Sequence, residues 1–221
     1  MTLTAKRPKN DDFPPIEGGT YQGVCYSVVD LGTQHTSFEG QEKDVAQVAI
    51  TWEIPELRID IDGKSMPRAI SKIYTNSLGK KATLLQHLTS WRGKEFTEAE
   101  LDGFEIDNVL QANCILTIIN EPKKAGGMKA KVLSVAHLMK GMPSLKPENS
   151  VVSYNMARDS IDAIPASVPD WLKKIIEDSM EYRAIHNARN SKELAAAQAS
   201  ANYATPPDDT SPEQPDDDIP F

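Results

Sequence analysis

The sequence predicts a mainly β domain of five strands, with a helical region between the third and fourth strands and a further helix near the C-terminus. Two observations predict it. Apolar residues alternate with polar ones in three segments before residue 76 and in two segments after residue 103, which is the period of a β-strand. Between them, apolar residues recur at helical spacing: Leu84, Leu85, Leu88 and Trp91.

The first three strands are joined by a loop and then by a turn. The first covers 20–31 and ends in a loop marked by glycines. The second begins near Val45, is interrupted at Pro55, and resumes over 58–61; its apolar face is formed by Val48, Ile50, Trp52 and Ile54. After the Asp62-Gly63 turn, the third strand covers 68–75. Strands two and three are therefore expected to form a hairpin.

Capping residues mark the helical region. Ser77 is a candidate N-cap for the first helix, and Gly93 is expected to end it. A second, short helix has a capping box of Thr97 and Glu100, with a hydrophobic staple between its flanking residues Phe96 and Leu101.

The period returns to two after Gly103. The fourth strand is expected over 108–120 and the fifth over 128–137, with a short glycine-rich loop between them. Three strands, a helix and two strands is the element order of an OB-fold, a five-stranded partly open barrel that binds single strands. The sequence thus predicts five segments: a flexible N-terminus over 1–18, an OB-fold core over 19–138, an extended connector over 139–166, a C-terminal helix over 167–194, and a disordered acidic tail over 195–221.

The C-terminal helix is expected to start at Ser167-Val168-Pro169-Asp170, a capping-box arrangement with proline in the first turn. Its apolar stripe, which includes Trp171, must pack either on the barrel or on a second subunit. The sequence leaves both arrangements open, so a homo-oligomer is one of them.

Charge is divided along the chain. The net charge is −8, yet residues 201–221 carry six acids and no base. Residues 63–94 contain seven bases and no acid, and residues 122–147 contain six bases and no acid. This segregation is typical of a phosphate-binding body with a partner-binding tail.

Several classes of protein are excluded or disfavoured. No apolar stretch suggests a signal peptide or a membrane anchor, so a cytosolic protein is expected. Cys25 and Cys114 lack CxxC spacing and fall in strand patterns, which predicts buried, reduced thiols. Asp60 and Asp62 form an Asp-x-Asp beside Gly63, where a turn explains them better than a metal does. No cofactor or catalytic site is expected.

Binding of single strands without sequence preference needs cations for phosphates and aromatic faces for bases. The cations expected to form such a track are Arg68, Lys72, Lys80, Lys81, Arg92, Lys123, Lys124, Lys129 and Lys131. Arg68, Lys72 and Tyr74 share one side of the third strand by its period, which makes Tyr74 the first candidate for stacking; the alternative is a core tyrosine.

Other aromatic residues divide into candidates and core. Phe38, in the loop after the first strand, is a second candidate for stacking. Tyr21 and Tyr26 lie on opposite faces of the first strand, so at most one is expected to reach the groove, and the sequence does not say which. Trp52 and Trp91 share faces with apolar residues and are expected in the core.

The last six residues are the most specific motif: Asp216, Asp217, Asp218, Ile219, Pro220 and Phe221. Three carboxylates favour a basic surface, proline restricts the backbone, and Phe221 offers a ring and an α-carboxylate. This segment resembles the acidic tip of bacterial single-stranded DNA-binding proteins. The resemblance implies a docking peptide for host replication and repair enzymes.

A second resemblance covers residues 18–185. The stretch 68–75, Leu78, the stretch 91–97, Leu101 with Phe104, and the helix start at 169–172 resemble a family of bacteriophage single-stranded DNA-binding replication proteins. The resemblance implies an OB-fold protein of the bacterial host cytoplasm that coats single-stranded DNA, independently of sequence, in replication, recombination or repair. Two alternatives remain open: an interaction protein that captures or inhibits host enzymes through the tip, and a metal-dependent nuclease at Asp60 and Asp62.

Overall fold

Five antiparallel strands form a strongly curled half-barrel in a mainly β structure. The computed structural model describes residues 13–38, 40–124 and 126–203; the expected docking tip at 216–221 lies outside them. The strands are β1 (Gly19–Phe38), β2 (Gln41–Ile61), β3 (Lys64–Thr75), β4 (Asn113–Pro122) and β5 (Met128–Ala136), in the sheet order β3-β2-β1-β4-β5. The curl brings the two edge strands together, since Lys72 Nζ on β3 donates to the Val132 carbonyl on β5 at 2.6 Å.

Helices follow β3 and close one end of the half-barrel. Helix α1 (Thr83–Arg92) ends at Gly93, whose φ of 72° is the left-handed conformation that glycine adopts without strain. Helix α2 (Glu98–Leu101) has both hydrogen bonds of the Thr97–Glu100 capping box, as predicted. The Ser77 cap is wrong: Ala82 is the N-cap of α1, and the Ser77 hydroxyl instead accepts from the Gly79 amide within the preceding loop.

The fourth strand begins later than the alternation predicts. A 3-10 helix covers Ile106–Val109, and Gln111 has a φ of 63°. That conformation lets the Gln111 amide donate to the Cys25 carbonyl at 2.7 Å, while the Cys25 amide donates to Ala112 at 3.0 Å. The alternation of apolar residues therefore begins before β4 does, because the first residues of the alternation lie in a turn.

The inside of the half-barrel is the main core. Trp52 is fully buried there, and its ring centroid lies 5.7 Å from that of Trp91 on α1. Trp91 also donates its indole N–H to the Asn113 carbonyl at 2.8 Å. Both tryptophans are core residues, as predicted. Cys25 and Cys114 are buried and free, and burial raises the pKa of both thiols.

The outer face of the sheet is covered by a second layer. Its helix packs on the sheet, which is one of the two arrangements that the sequence leaves open, whereas its strand is not predicted. The expected connector supplies a short strand, β6 (Val152–Tyr154), that pairs parallel with β1. A 3-10 helix at Ile161–Ala163 and helix α3 (Asp170–Asp178) follow. Leu172 and Ile176 of α3 pack with Val29 and Leu31 of β1 in this layer.

The expected C-terminal helix is two helices. Helix α3 ends at Asp178 with Ser179 as its C-cap, and α4 (Met180–Tyr203) begins at the residue after the cap. Pro169 is the N-cap of α3 and provides no side-chain hydrogen bond, so the capping box predicted at Ser167 is wrong. The residues up to Tyr182 form one compact unit and those from Arg183 form a second. Among the described residues, no helix is long and apolar enough to cross a membrane.

Candidate nucleic-acid interface

Four lysines from three separate elements line one cleft at the seam between β3 and β5. Lys72 lies on β3, Lys80 and Lys81 lie on the loop before α1, and Lys131 lies on β5. The cleft has a volume of about 810 Å³, and we call it the lysine cleft. All four are cations that the sequence predicts for a phosphate track, and the curl of the sheet is what brings them together.

The local structure explains how each lysine reaches the cleft. β3 and β5 are the two edges of the sheet, so their facing sides are not hydrogen-bonded into a continuous ladder. The Ala82 amide donates to the Gly79 carbonyl at 2.8 Å, and this turn presents the intervening Lys80 and Lys81 at the end of the seam. Lys80 and Lys81 are both exposed, so a ligand can contact their side chains.

The cleft is electrostatically positive. Partial burial, followed by the charge of Lys131, lowers the pKa of Lys72 from its ordinary value. Glu121 partly offsets this charge, since its carboxylate accepts from Lys131 Nζ at 2.8 Å. That hydrogen bond lowers the pKa of Glu121. A phosphate near Lys72 would relieve the repulsion between the two lysines.

The expectation that Tyr74 presents its ring to the groove is not met. Tyr74 is 4 % exposed, and its hydroxyl lies 2.9 Å from Nδ1 of His87. The period of the strand was assigned correctly, but the side that carries Arg68, Lys72 and Tyr74 faces the inside of the half-barrel, where Ile70 is also buried. Tyr74 is therefore the core tyrosine of the alternative interpretation, whereas Lys72 is half-buried and lines the lysine cleft.

His87, beneath the lysine cleft, gives the fold a predictable pH dependence. Burial, followed by the charge of Lys72, lowers the pKa of His87 to about 4. In the unfolded chain the pKa is about 6.5, so between these values the unfolded state binds the proton more readily. The stability that neutral His87 contributes is complete above pH 6.5 and is lost as the pH falls towards 4. We expect wild type to lose about 2 kcal/mol more unfolding free energy between pH 7 and pH 4.5 than His87→Gln does.

Urea unfolding at the two pH values measures this difference. His35→Gln is the matched control: the hydrogen bond to Asp44 raises the pKa of His35, so that exposed group acts with the opposite sign, its contribution being lost as the pH rises. An acid-induced loss equal in wild type and His87→Gln would contradict the assignment to His87.

The remaining predicted cations are distributed over the surface. Lys123 and Lys124 lie on the exposed turn between β4 and β5, and Lys129 is exposed on β5 two residues from Lys131. These three extend the positive charge along one hairpin. Arg92 lies elsewhere: it pairs with Glu100 at 2.8 Å and covers the Phe96 ring at 4.3 Å. The side chain of Phe38 lies outside the described part of the structure.

A second surface cleft was not predicted from the sequence. Phe13, Tyr26 and Arg68 line a cavity of about 280 Å³ with apolar residues of the β2–β3 hairpin, and we call it the aromatic cleft. Tyr26 is thus the tyrosine of β1 that reaches this cleft, whereas Tyr21 packs against the core and donates its hydroxyl to the Glu17 carbonyl at 3.0 Å. The polar residues before Phe13 predict a flexible terminus, and no sequence signal indicates that Phe13 lines a cleft.

The Asp60–Asp62 pair has a structural role in the turn between β2 and β3. The Asp60 carboxylate accepts from the Gly63 amide at 3.0 Å, and Asp62 has a φ of 51°. Over the described ranges, no group of three or more His, Cys, Asp or Glu side chains is placed to hold a metal ion.

Comparison with known proteins does not identify the chain. Neither the protein-family models nor the curated proteins include a match to it.

Proposed function

We propose that this chain is a non-enzymatic single-stranded DNA-binding protein with an OB-type barrel. The observation that carries the proposal is the convergence of Lys72, Lys80, Lys81 and Lys131 on one cleft. Charges separated by up to 59 residues in sequence meet along a seam, which is the arrangement needed to follow a phosphate backbone.

The topology supports the OB-type assignment. The order β3-β2-β1-β4-β5, with β5 returning beside β3, matches a five-stranded barrel that remains open at one seam. The helix between the third and fourth strands closes one end. In such barrels the third strand and the loop between the fourth and fifth strands contribute to ligand binding, and here both carry lysines.

Lysine chemistry favours binding that is independent of sequence. An ammonium group is a point charge on a flexible stem, and it attracts phosphate without reading base edges. The curved seam suits a flexible single strand better than a stiff duplex. The sequence-independent coating of single-stranded DNA in replication, recombination or repair follows as the proposed role.

The acid-rich segment supports a second part of the proposal. Asp216, Asp217 and Asp218 with Ile219-Pro220-Phe221 offer negative charge and apolar surface to a basic, apolar pocket on a partner. We propose that this segment recruits host replication or repair enzymes. If capture of those enzymes were instead the whole function, deletion of 215–221 would abolish binding to the enzymes. DNA binding would then be weak both with and without the segment.

Titration of a fluorescent oligothymidine at two salt concentrations tests the main proposal. With four to five phosphate contacts, the logarithm of the association constant should fall with the logarithm of salt with a slope of about −3. A duplex of the same length and label should bind at least about tenfold more weakly. Equal binding of duplex and single strand, or binding that salt does not weaken, would contradict the proposal.

A further inference from the structure

A β-bulge in β1 and a register shift in β2 adjoin the aromatic cleft. In β1, Cys25 pairs with Trp52 and Ser27 pairs with Thr51, so Tyr26 is the extra residue of a bulge. In β2, the register shifts between Ile54 and Arg58, opposite Arg68 and Pro67 of β3. Bulges interrupt the ladder and redirect side chains, and they concentrate next to functional sites. The bulge in β1 places Tyr26 in the lining of the cleft, and the shift in β2 lies opposite Arg68 and Pro67, which also line it.

Arg68 holds the N-terminal segment against the cleft. Its guanidinium donates to the Pro14 carbonyl at 2.6 Å, and Ile16, two residues further on, is buried in the core. The segment that carries Phe13 is therefore anchored at two points. Even so, Phe13 remains 46 % exposed, and Ile61 beside it in the cleft is 44 % exposed. The cleft therefore presents adjoining apolar surface to solvent, and such surface is typical of a binding site when polar residues border it.

The chemistry of the cleft suits a planar, weakly polar ring. Phe13 and Tyr26 offer π-faces, Arg68 offers a planar cation that stacks on rings, and Asn149 at the margin offers an amide. Ile59 and Met66 form part of an apolar lining. A nucleobase has such faces and a polar edge, and stacking tolerates every base.

We propose that the aromatic cleft is a nucleobase-stacking subsite of the single-strand path. This inference rests on the proposed function. Arg68 and Lys72 are four residues apart on β3, a distance of about 13 Å along a strand, so one short oligonucleotide can reach both clefts. The lysine cleft holds phosphates, so its contribution to affinity depends on salt. The aromatic cleft holds a base, so its contribution depends on the presence of the base and not on salt.

Ring removal and base removal together test the subsite. The variants are Phe13→Ala and Tyr26→Leu, with Phe13→Tyr and Tyr26→Phe as controls that keep a ring. Each loss of a ring should weaken oligothymidine binding about tenfold and leave the salt slope unchanged, because no charge is removed. An abasic oligonucleotide of the same length should bind wild type and both ring-loss variants equally. The two controls should bind oligothymidine like wild type.

The outcomes separate the subsite from the proposed function. If wild type binds oligothymidine with the expected salt slope but Phe13→Ala binds equally well, the subsite is overturned and the lysine cleft is not. If wild type binds neither oligonucleotide, both are overturned. If the ring-loss variants weaken abasic and base-bearing strands alike, stacking is overturned. Should Tyr26→Leu fail to fold, Phe13→Ala decides alone, since that exposed side chain contributes little to the core. A loss of self-association with unchanged DNA affinity would show that the cleft is a protein contact instead.

Discussion

Reversing the charge of Lys80 and Lys81 together is expected to weaken single-stranded DNA binding about a hundredfold at 0.1 M salt. For single strands, each lysine that neutralises a phosphate contributes about 0.7 to the slope of the logarithm of the association constant against the logarithm of salt. At about 0.1 M salt this contribution is about fivefold in affinity. Two lost contacts account for about 25-fold, and repulsion by the two introduced glutamates supplies the rest. The slope itself should become less steep by about 1.4.

A matched double variant separates a local effect from net charge. Lys43→Glu with Lys174→Glu makes the same change in total charge at exposed positions away from the lysine cleft. The measurement is fluorescence anisotropy of labelled oligothymidine with both double variants over a salt series. Binding that falls equally in the two would assign the effect to overall charge and would contradict a specific role for the lysine cleft. The temperature of thermal unfolding should be nearly unchanged in both double variants, because the replaced residues are all exposed: Lys80, Lys81, Lys43 and Lys174.

The strand and capping patterns of the sequence predict the half-barrel well, since they depend on local chemistry. The Thr97–Glu100 capping box and the Gly93 stop are set by hydrogen bonds and φ within a few residues. Tyr74 shows where this reasoning fails. The two-residue period correctly placed Tyr74 on the same side as Lys72, but it does not say which side faces inward. That depends on how far the sheet curls and on what covers its other face.

The strand of the second layer could not be predicted for a related reason. The segment that forms β6 has three residues in its strand and no sustained period, so its sequence resembles a loop. It adds to the sheet because the outer face of β1 and β2 presents Val29, Leu31 and Ala49, which need cover. The acid-free windows contain all four lysines of the cleft, while tertiary structure determines which of the window lysines meet.

Glu53 connects this layer to the half-barrel, and replacing it is expected to have the largest effect on stability. Glu53 is fully buried on β2, and its carboxylate accepts from the backbone amide of Glu148 at 2.7 Å, from that of Asn149 at 2.9 Å, and from the Asn149 side chain at 2.7 Å. Arg58 and Glu148 add an ion pair beside it. This explains why a charged side chain lies among core residues of β2. The Glu53 carboxylate accepts hydrogen bonds from backbone amides of a segment that has no strand partner there.

Glu53→Ala should lower the unfolding free energy by about 4 kcal/mol, because three partly buried donors lose their acceptor and a cavity forms. Glu53→Gln keeps the shape but replaces one accepting oxygen by a donor, so we expect a loss of about 2 kcal/mol. Urea unfolding measures both losses, and hydrogen exchange at the Glu148 and Asn149 amides should accelerate before global unfolding. Glu56→Ala, an exposed glutamate on the same strand, is the control and should change stability by less than about 0.5 kcal/mol. If Glu53→Ala matched Glu56→Ala, the anchoring of residues 148–149 would contribute nothing to the fold. If instead both Glu53 variants lost stability while their affinity for oligothymidine per folded molecule stayed that of wild type, the segment at residues 148–149 would support the sheet and would take no part in the DNA contacts.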